Sequence, residues 1–101
     1  MNAEREAAAI IHDLCGWPVR RIPTPGSPID HGDLFGIPNT VIQVAAWADA
    51  LAAVRTKPLE ADQQRDAAGV DFVATFVKLH RAGWRVILTP EQWAAYDRAR
   101  L

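Results

Sequence analysis

HGDLFGIPNTVIQVA, residues 31–45, contains the turn and the apolar strand from which the fold is predicted. It begins with a Gly-Asp pair, passes through a Gly-Ile-Pro turn and ends in an apolar run that predicts a strand over residues 41–45. Side chains two residues apart on a strand share one face, so Gln43 and Ala45 are predicted to point together toward a spot that Asp33 can reach. The alternative interpretation is an ordinary turn followed by a buried strand.

The order of Gly-Asp, Gly-Ile-Pro and apolar strand resembles the core of small resolvase-like nucleases of the PD-(D/E)XK superfamily, which are common in actinobacterial phages. In that family the strand carries Glu-Val-Lys, where this chain has Gln43-Val44-Ala45. Two carboxylates would hold Mg²⁺ there, and the lysine would polarise the attacking water or stabilise charge on the phosphate. Gln43 offers only a neutral amide oxygen and Ala45 offers no ligand. The resemblance therefore implies a degenerate site that holds no Mg²⁺ or binds it weakly through Asp33.

Composition and length set broad limits on the function. The chain has 101 residues, predicted to form one domain over residues 1–101, and half of them are hydrophobic. A formal charge of −1 argues against a strongly electrostatic nucleic-acid binder, although it leaves room for a local basic face. Cys15 is the only cysteine, so no intrachain disulfide can form. No apolar run approaches the ~20 residues that span a bilayer, and no signal-peptide core is present, so a cytoplasmic protein without a membrane partner is expected.

The first half of the chain is predicted from local patterns. Apolar residues at helical spacing predict a first helix over residues 3–15, which Gly16 ends. A short strand over residues 19–22 and a proline-rich loop over residues 23–28 follow. After the central strand, residues 46–56 are predicted to form a helix, whereas the resemblance implies a strand continuation and a loop.

The second half is predicted to add another helix, a hairpin and a final helix. Lys57 begins the next helix, with Pro58 in its first turn. Residues 71–79 and 84–88 are rich in β-branched and aromatic side chains and predict the two strands of a hairpin. Thr89-Pro90-Glu91-Gln92 has the composition of a capping box, so a final helix should carry Trp93 and Tyr96 onto the sheet.

This order of elements matches the minimal PD-(D/E)XK fold over essentially the whole chain. The predicted fold class is therefore α/β, with a single domain in which helices flank a mixed sheet, restriction endonuclease-like.

Several charged residues are candidates for a role in the site. Asp33 is the family acid that survives, and its alternative role is a turn-forming Asp that caps local amides. Asp30 and His31 are candidate substitute metal ligands, although loop residues of these types are more often solvated. Glu6 could face the site from the first helix, as an extra acid does in related nucleases. A migrated lysine could restore the positive charge near the scissile phosphate, with Lys78 the better candidate and Lys57 the weaker.

Basic and aromatic residues are the candidates for nucleic-acid binding. A phosphate-contacting rim could be formed by Arg20, Arg21, Arg55, Lys57, His80, Arg81 and Arg85, with plain surface charge as the alternative. The four tryptophans are predicted to be core or interface anchors, with base stacking as the alternative: Trp17, Trp47, Trp84 and Trp93.

These observations predict a pseudoenzyme, a nuclease-like protein that has lost metal-dependent hydrolysis and acts by binding DNA or a protein partner. One alternative is an active Mg²⁺-dependent endonuclease, or Holliday junction resolvase, with a rearranged site that includes Asp33, Gln43 and Lys78. A second alternative is a phage inhibitor of a host protein. Related resolvases work as dimers, so the resemblance also allows a homodimer.

Overall fold

Three helices and four strands make up the computed structural model, which describes residues 2–21 and 33–100, with Asp33 described by its backbone alone. In chain order the elements are α1 (Ala3–Cys15), β1 (Asp33–Leu34), β2 (Thr40–Ala45), α2 (Ala50–Ala68), β3 (Phe72–Leu79), β4 (Gly83–Ile87) and α3 (Pro90–Ala99). Within these ranges, no helix combines the length and the apolarity needed to cross a membrane.

The strands form one mixed sheet in the order β1-β2-β3-β4. The β1–β2 and β3–β4 pairs are antiparallel, whereas β2 and β3 are parallel and are connected through α2. The predicted α/β class, the mixed sheet and the flanking helices are therefore confirmed. At the start of the parallel pair, Asn39 Nδ2 donates to Asp71 Oδ2 over 2.7 Å, and Asp71 N donates to Asn39 Oδ1 over 3.0 Å. These hydrogen bonds join the two strand beginnings.

The sheet has one core on each face, because side chains alternate along β2 and β3. Ile42 and Val44 pack with Ala7 and Ile11 of α1. On the opposite face, the α2 residues Ala53 and Ala61 pack against a second set of buried side chains: Val41, Ala45, Val73 and Val77. All six residues of β2 are consequently buried.

Gly36 shows why the Gly-Ile-Pro turn needs its glycine. Its φ of 131° lies in a region that residues with a Cβ rarely adopt, and a Cβ there would come within 2.9 Å of the Pro18 carbonyl oxygen. The turn therefore lies directly against the segment that follows α1. Next to it, Arg20 and Phe35 exchange two backbone hydrogen bonds of 2.8 Å.

Most predicted elements are confirmed, but the strand over residues 19–22 is wrong in extent. Its described part is the single bridge between Arg20 and Phe35, and residue 22 lies outside the described ranges, as does the loop predicted over residues 23–28. Pro18 has no backbone N–H, which limits regular pairing at this edge of the sheet.

The predicted division of residues 46–69 into two helices is also wrong. One helix, α2, begins after Asp49, whose side chain accepts a hydrogen bond from Ala52 N over 3.0 Å, and continues through Pro58. A proline inside a helix removes one backbone hydrogen bond. Burial of Ala53, Pro58 and Ala61 offsets this cost, so tertiary packing overrides the local signal.

The final helix has the predicted capping box, and of the two side chains predicted to lie on the sheet, Tyr96 does and Trp93 does not. Tyr96 Oη donates to the Val73 carbonyl oxygen over 2.9 Å. Val73 lies near the start of β3, before the residues that pair with β4. Burial also raises the pKa of Tyr96. Trp93, by contrast, is 51% exposed, so its predicted place on the sheet is wrong. The residue that shares the face of Tyr96, one turn earlier, is Gln92, which is buried.

Gln92 is expected to be a main determinant of stability, because it is buried and connects α3 to α2. Its Nε2 atom donates to the Pro58 carbonyl oxygen over 2.9 Å and to Asp62 Oδ1 over 2.8 Å, while its Oε1 atom accepts from Thr89 N. Gln92→Ala should lower the free energy of unfolding by about 2–4 kcal/mol in urea denaturation. Glu91→Ala, at the exposed neighbouring position, should change it by less than ~0.5 kcal/mol. Equal effects of the two substitutions would contradict this role.

Candidate functional site

The backbone brings together the three positions of the predicted nuclease-like motif. Asp33 is the pairing partner of Gln43 across the β1–β2 ladder, and Ala45 lies two residues further along the same face of β2. The neighbouring strand contributes Thr75, which pairs with Gln43 from the other side. Positions 33, 43 and 75 thus form one row across the sheet. Asp30 and His31 lie outside the described residues.

This row lies beneath α2 and does not open into a cleft. Gln43 and Ala45 are each only 2% exposed. Ala45 packs with Ala53 and Val77, both of which are fully buried. Two residues before Gln43, on the same face of the sheet, Val41 and Val73 pack with Ala61 of the same helix. Gln43 therefore lies between two apolar clusters, where a phosphate would have to displace a helix to reach it.

Gln43 and Ala45 do not fit a Mg²⁺ site. Magnesium ions prefer hard oxygen ligands and keep several bound waters, which need space next to the protein ligands. The methyl group of Ala45 supplies no ligand, and the packing of α2 against Ala45 leaves no room for such waters. In the part of the chain that the structure describes, no group of three or more His, Cys, Asp or Glu side chains has the geometry of a metal site.

Lys78 and Glu6 are brought together, but on the other face of the sheet. Lys78 Nζ lies 2.7 Å from Glu6 Oε2, so β3 is joined to the first turn of α1. This hydrogen bond is the main reason why the pKa of Glu6 is lowered, with the Trp84 side chain as a further hydrogen-bond partner. The ion pair therefore stabilises the fold above the ordinary pKa of a glutamate, and its contribution is lost as the pH falls through the lowered value.

The position of Lys78 bears on the migrated-lysine hypothesis. Its neighbour Val77 packs with Ala45 on the α2 face, whereas Lys78 contacts Glu6 of α1. Lys78 and Gln43 therefore lie on opposite faces of the sheet and do not form one site. Lys57 lies on α2, where its Nζ atom is 2.9 Å from Glu60 Oε2.

A cleft is present where β2 and β3 end. It has a volume of about 540 Å³ and is lined by Ala46, Trp47, Ala48, Lys78, Leu79, His80 and Arg81. The carboxyl ends of the two parallel strands meet here, which is the edge at which open α/β sheets commonly bind ligands. Among the described residues that line the cleft, the charged and titratable ones are Lys78, His80 and Arg81, and Lys78 is paired with Glu6 of α1.

The arginines predicted to bind nucleic acid do not lie on one surface. Arg20 and Arg21 line a second, smaller cleft of about 330 Å³, together with Arg5 and Glu4 of α1. The Arg85 guanidinium donates to the carbonyl oxygens of Ala82 and Trp84, so this side chain is engaged within the β3–β4 hairpin. Arg55 is exposed on α2.

The two clefts are linked through neighbouring residues of α1. Arg5 lines the smaller cleft, and the next residue, Glu6, binds Lys78 in the larger one. Of the arginines predicted to form a phosphate-contacting rim, Arg81 lines the larger cleft.

Sequence comparison adds no identification to this geometry. No protein-family model, no curated protein and no solved structure matches the chain. The resemblance to PD-(D/E)XK nucleases therefore remains a prediction from the residues themselves.

Sequence reasoning did not single out the larger cleft as a site. The signal was present in the run Lys78-Leu79-His80-Arg81 at the end of a strong β pattern and in Trp47 just after the central strand. Two strands that are parallel neighbours place their following residues at one edge. Knowing that β2 and β3 pair in parallel would have been enough to bring these residues together.

Rebuilding the predicted nuclease-like motif at the row beneath α2 should destabilise the protein. Ala45→Lys would bury an ammonium against Ala53 and Val77, and we expect it to lower the free energy of unfolding by at least ~3 kcal/mol in urea denaturation. Ala46→Lys, one residue further and exposed, should change stability by less than ~0.5 kcal/mol. If the two lysine variants were equally stable, α2 would not cover position 45.

Proposed function

We propose that this chain is a degenerate PD-(D/E)XK nuclease-like protein that binds nucleic acid without cleaving it. The observation that carries the proposal is the basic cleft at the ends of β2 and β3. Loss of hydrolysis is supported by the burial of Gln43 and Ala45 beneath α2 and by their lack of carboxylate and ammonium groups. Both features agree with a scaffold that has kept a nuclease-like order of elements and moved its contact surface.

The cleft supports a phosphate ligand through its local charge. The chain as a whole carries a formal charge of −1, so long-range attraction to a polyanion is small. Within the cleft, however, the charged and titratable lining groups are Lys78, His80 and Arg81. Phosphate neutralisation by such a small set of groups gives weak binding that depends strongly on salt.

An active endonuclease with a rearranged site receives less support. It would require Lys78 to act beside Asp33 and Gln43, but Lys78 lies on the face that contacts α1, and Gln43 lies beneath α2. A sheet separates the two groups. The alternative of a protein partner is left as an outcome of the binding test.

Binding should be measurable as salt-dependent anisotropy of a fluorescently labelled oligonucleotide. Arg81→Gln should weaken binding. It should also lower the magnitude of the slope of log affinity against log salt concentration by about 1, the contribution of one phosphate contact. Arg98→Gln is the matched control, because Arg98 is an exposed arginine of α3 that does not line the cleft. Absence of binding at low salt, or equal effects of the two substitutions, would contradict the proposed contact surface.

Purified protein with Mg²⁺ or Mn²⁺ is expected not to cleave duplex, single-stranded or branched DNA above background. The reason is that Gln43 and Ala45 supply neither the second carboxylate nor the ammonium that the reaction needs. Plasmid nicking and labelled-junction assays would measure this directly. Cleavage that disappears in Asp33→Ala would show that hydrolysis survives and would overturn the pseudoenzyme proposal.

A further inference from the structure

Trp47 gives the cleft an aromatic surface beside its cations. It follows β2 directly, in a segment where residues 46–49 are all exposed, and its own side chain is 40% exposed. A large aromatic ring in contact with solvent at the edge of a basic cleft is not explained by packing of the core. Its position next to Lys78, His80 and Arg81 suggests a ligand that is both planar and anionic.

The Trp47 ring is held in place by Lys57 of α2. Lys57 Nζ lies 5.6 Å from the ring centroid, a distance at which a cation is attracted to an aromatic face. The lysine is itself fixed, because its side chain is only 13% exposed and its ammonium pairs with Glu60 over 2.9 Å. An aromatic ring held in this way loses little conformational freedom when a ligand binds.

We infer that Trp47 stacks on an unpaired base, so that the preferred ligand of the cleft is single-stranded nucleic acid. This inference rests on the proposed function and adds the substrate class. Bases within a duplex have both faces covered by their neighbours, whereas an unpaired base offers a face to an aromatic side chain. The cations that line the cleft are placed to contact phosphates next to such a base. The cleft volume of about 540 Å³ lies within the range of sites for small planar ligands.

The test compares a labelled single-stranded oligothymidylate of about 12 nucleotides with a labelled hairpin duplex, by anisotropy at low salt. Trp47→Leu should weaken single-strand binding by about 5- to 150-fold, the range found when a stacking side chain is removed, and leave duplex binding unchanged. Trp47→Phe should keep most of the affinity because phenylalanine also stacks. Trp93→Leu is the matched control: Trp93 is 51% exposed and has Arg100 at 5.4 Å from its ring centroid, but it lies on α3 outside the cleft.

Tryptophan fluorescence gives a second measurement that does not depend on the stability of Trp47→Leu. Single-strand binding should quench the fluorescence of the wild-type protein, and this quenching should be lost in Trp47→Phe while binding is retained.

The possible failures can be told apart. If Arg81→Gln weakens binding but Trp47→Leu does not, or if Trp47→Leu weakens duplex and single strand equally, nucleic-acid binding stands and base stacking is wrong. If the wild-type protein binds neither oligonucleotide at low salt, both the inference and the proposed function are wrong.

Discussion

Because β2 is buried on both faces, the sheet must be covered by a helix on each side. Every side chain of this strand is inaccessible, so each face needs a covering helix: α1 on the side of Ile42 and Val44, and α2 on the side of Val41 and Ala45. Parallel pairing with β3 then requires a long crossover, which α2 supplies. The Asn39–Asp71 hydrogen bonds align the beginnings of the two strands, and the position of the carboxyl-end cleft follows from that alignment.

The same constraint keeps Gln43 and Ala45, two positions of the predicted nuclease-like motif, away from solvent. A strand that is covered on both faces can present functional side chains only where it leaves the sheet. In this protein that point comes at residues 46–49, directly after Ala45, the last position of the predicted motif. Trp47 is the exposed aromatic residue of that segment, and Lys78, His80 and Arg81 at the end of β3 line the same cleft. The buried row, in contrast, keeps polar residues such as Thr75 within an otherwise apolar layer.

Local signals predicted much of the fold, and tertiary packing explains the errors. The first helix, β2, the hairpin and the capping box each have a sequence pattern of their own, and each is confirmed. Pro58 suggested a helix start because its effect on an isolated helix is large, yet burial against the sheet outweighs it. In the site, the sequence predicted that Asp33 would reach positions 43 and 45 from the preceding turn, whereas the backbone pairs Asp33 with Gln43 across β1 and β2. Which face α2 would cover could not be predicted, because that depends on contacts between distant segments.

Because Lys78 is paired with Glu6, positive charge alone does not explain how the cleft would select a ligand. A phosphate that approaches Lys78 must compete with a carboxylate already 2.7 Å from the ammonium, so part of the electrostatic gain is cancelled. His80 and Arg81 remain as the other groups of the lining with a positive charge or the capacity for one. With so few charges, selectivity must come from a contact that a simple polyanion cannot make. The exposed ring of Trp47 offers such a contact, because stacking distinguishes an unpaired base from a paired one.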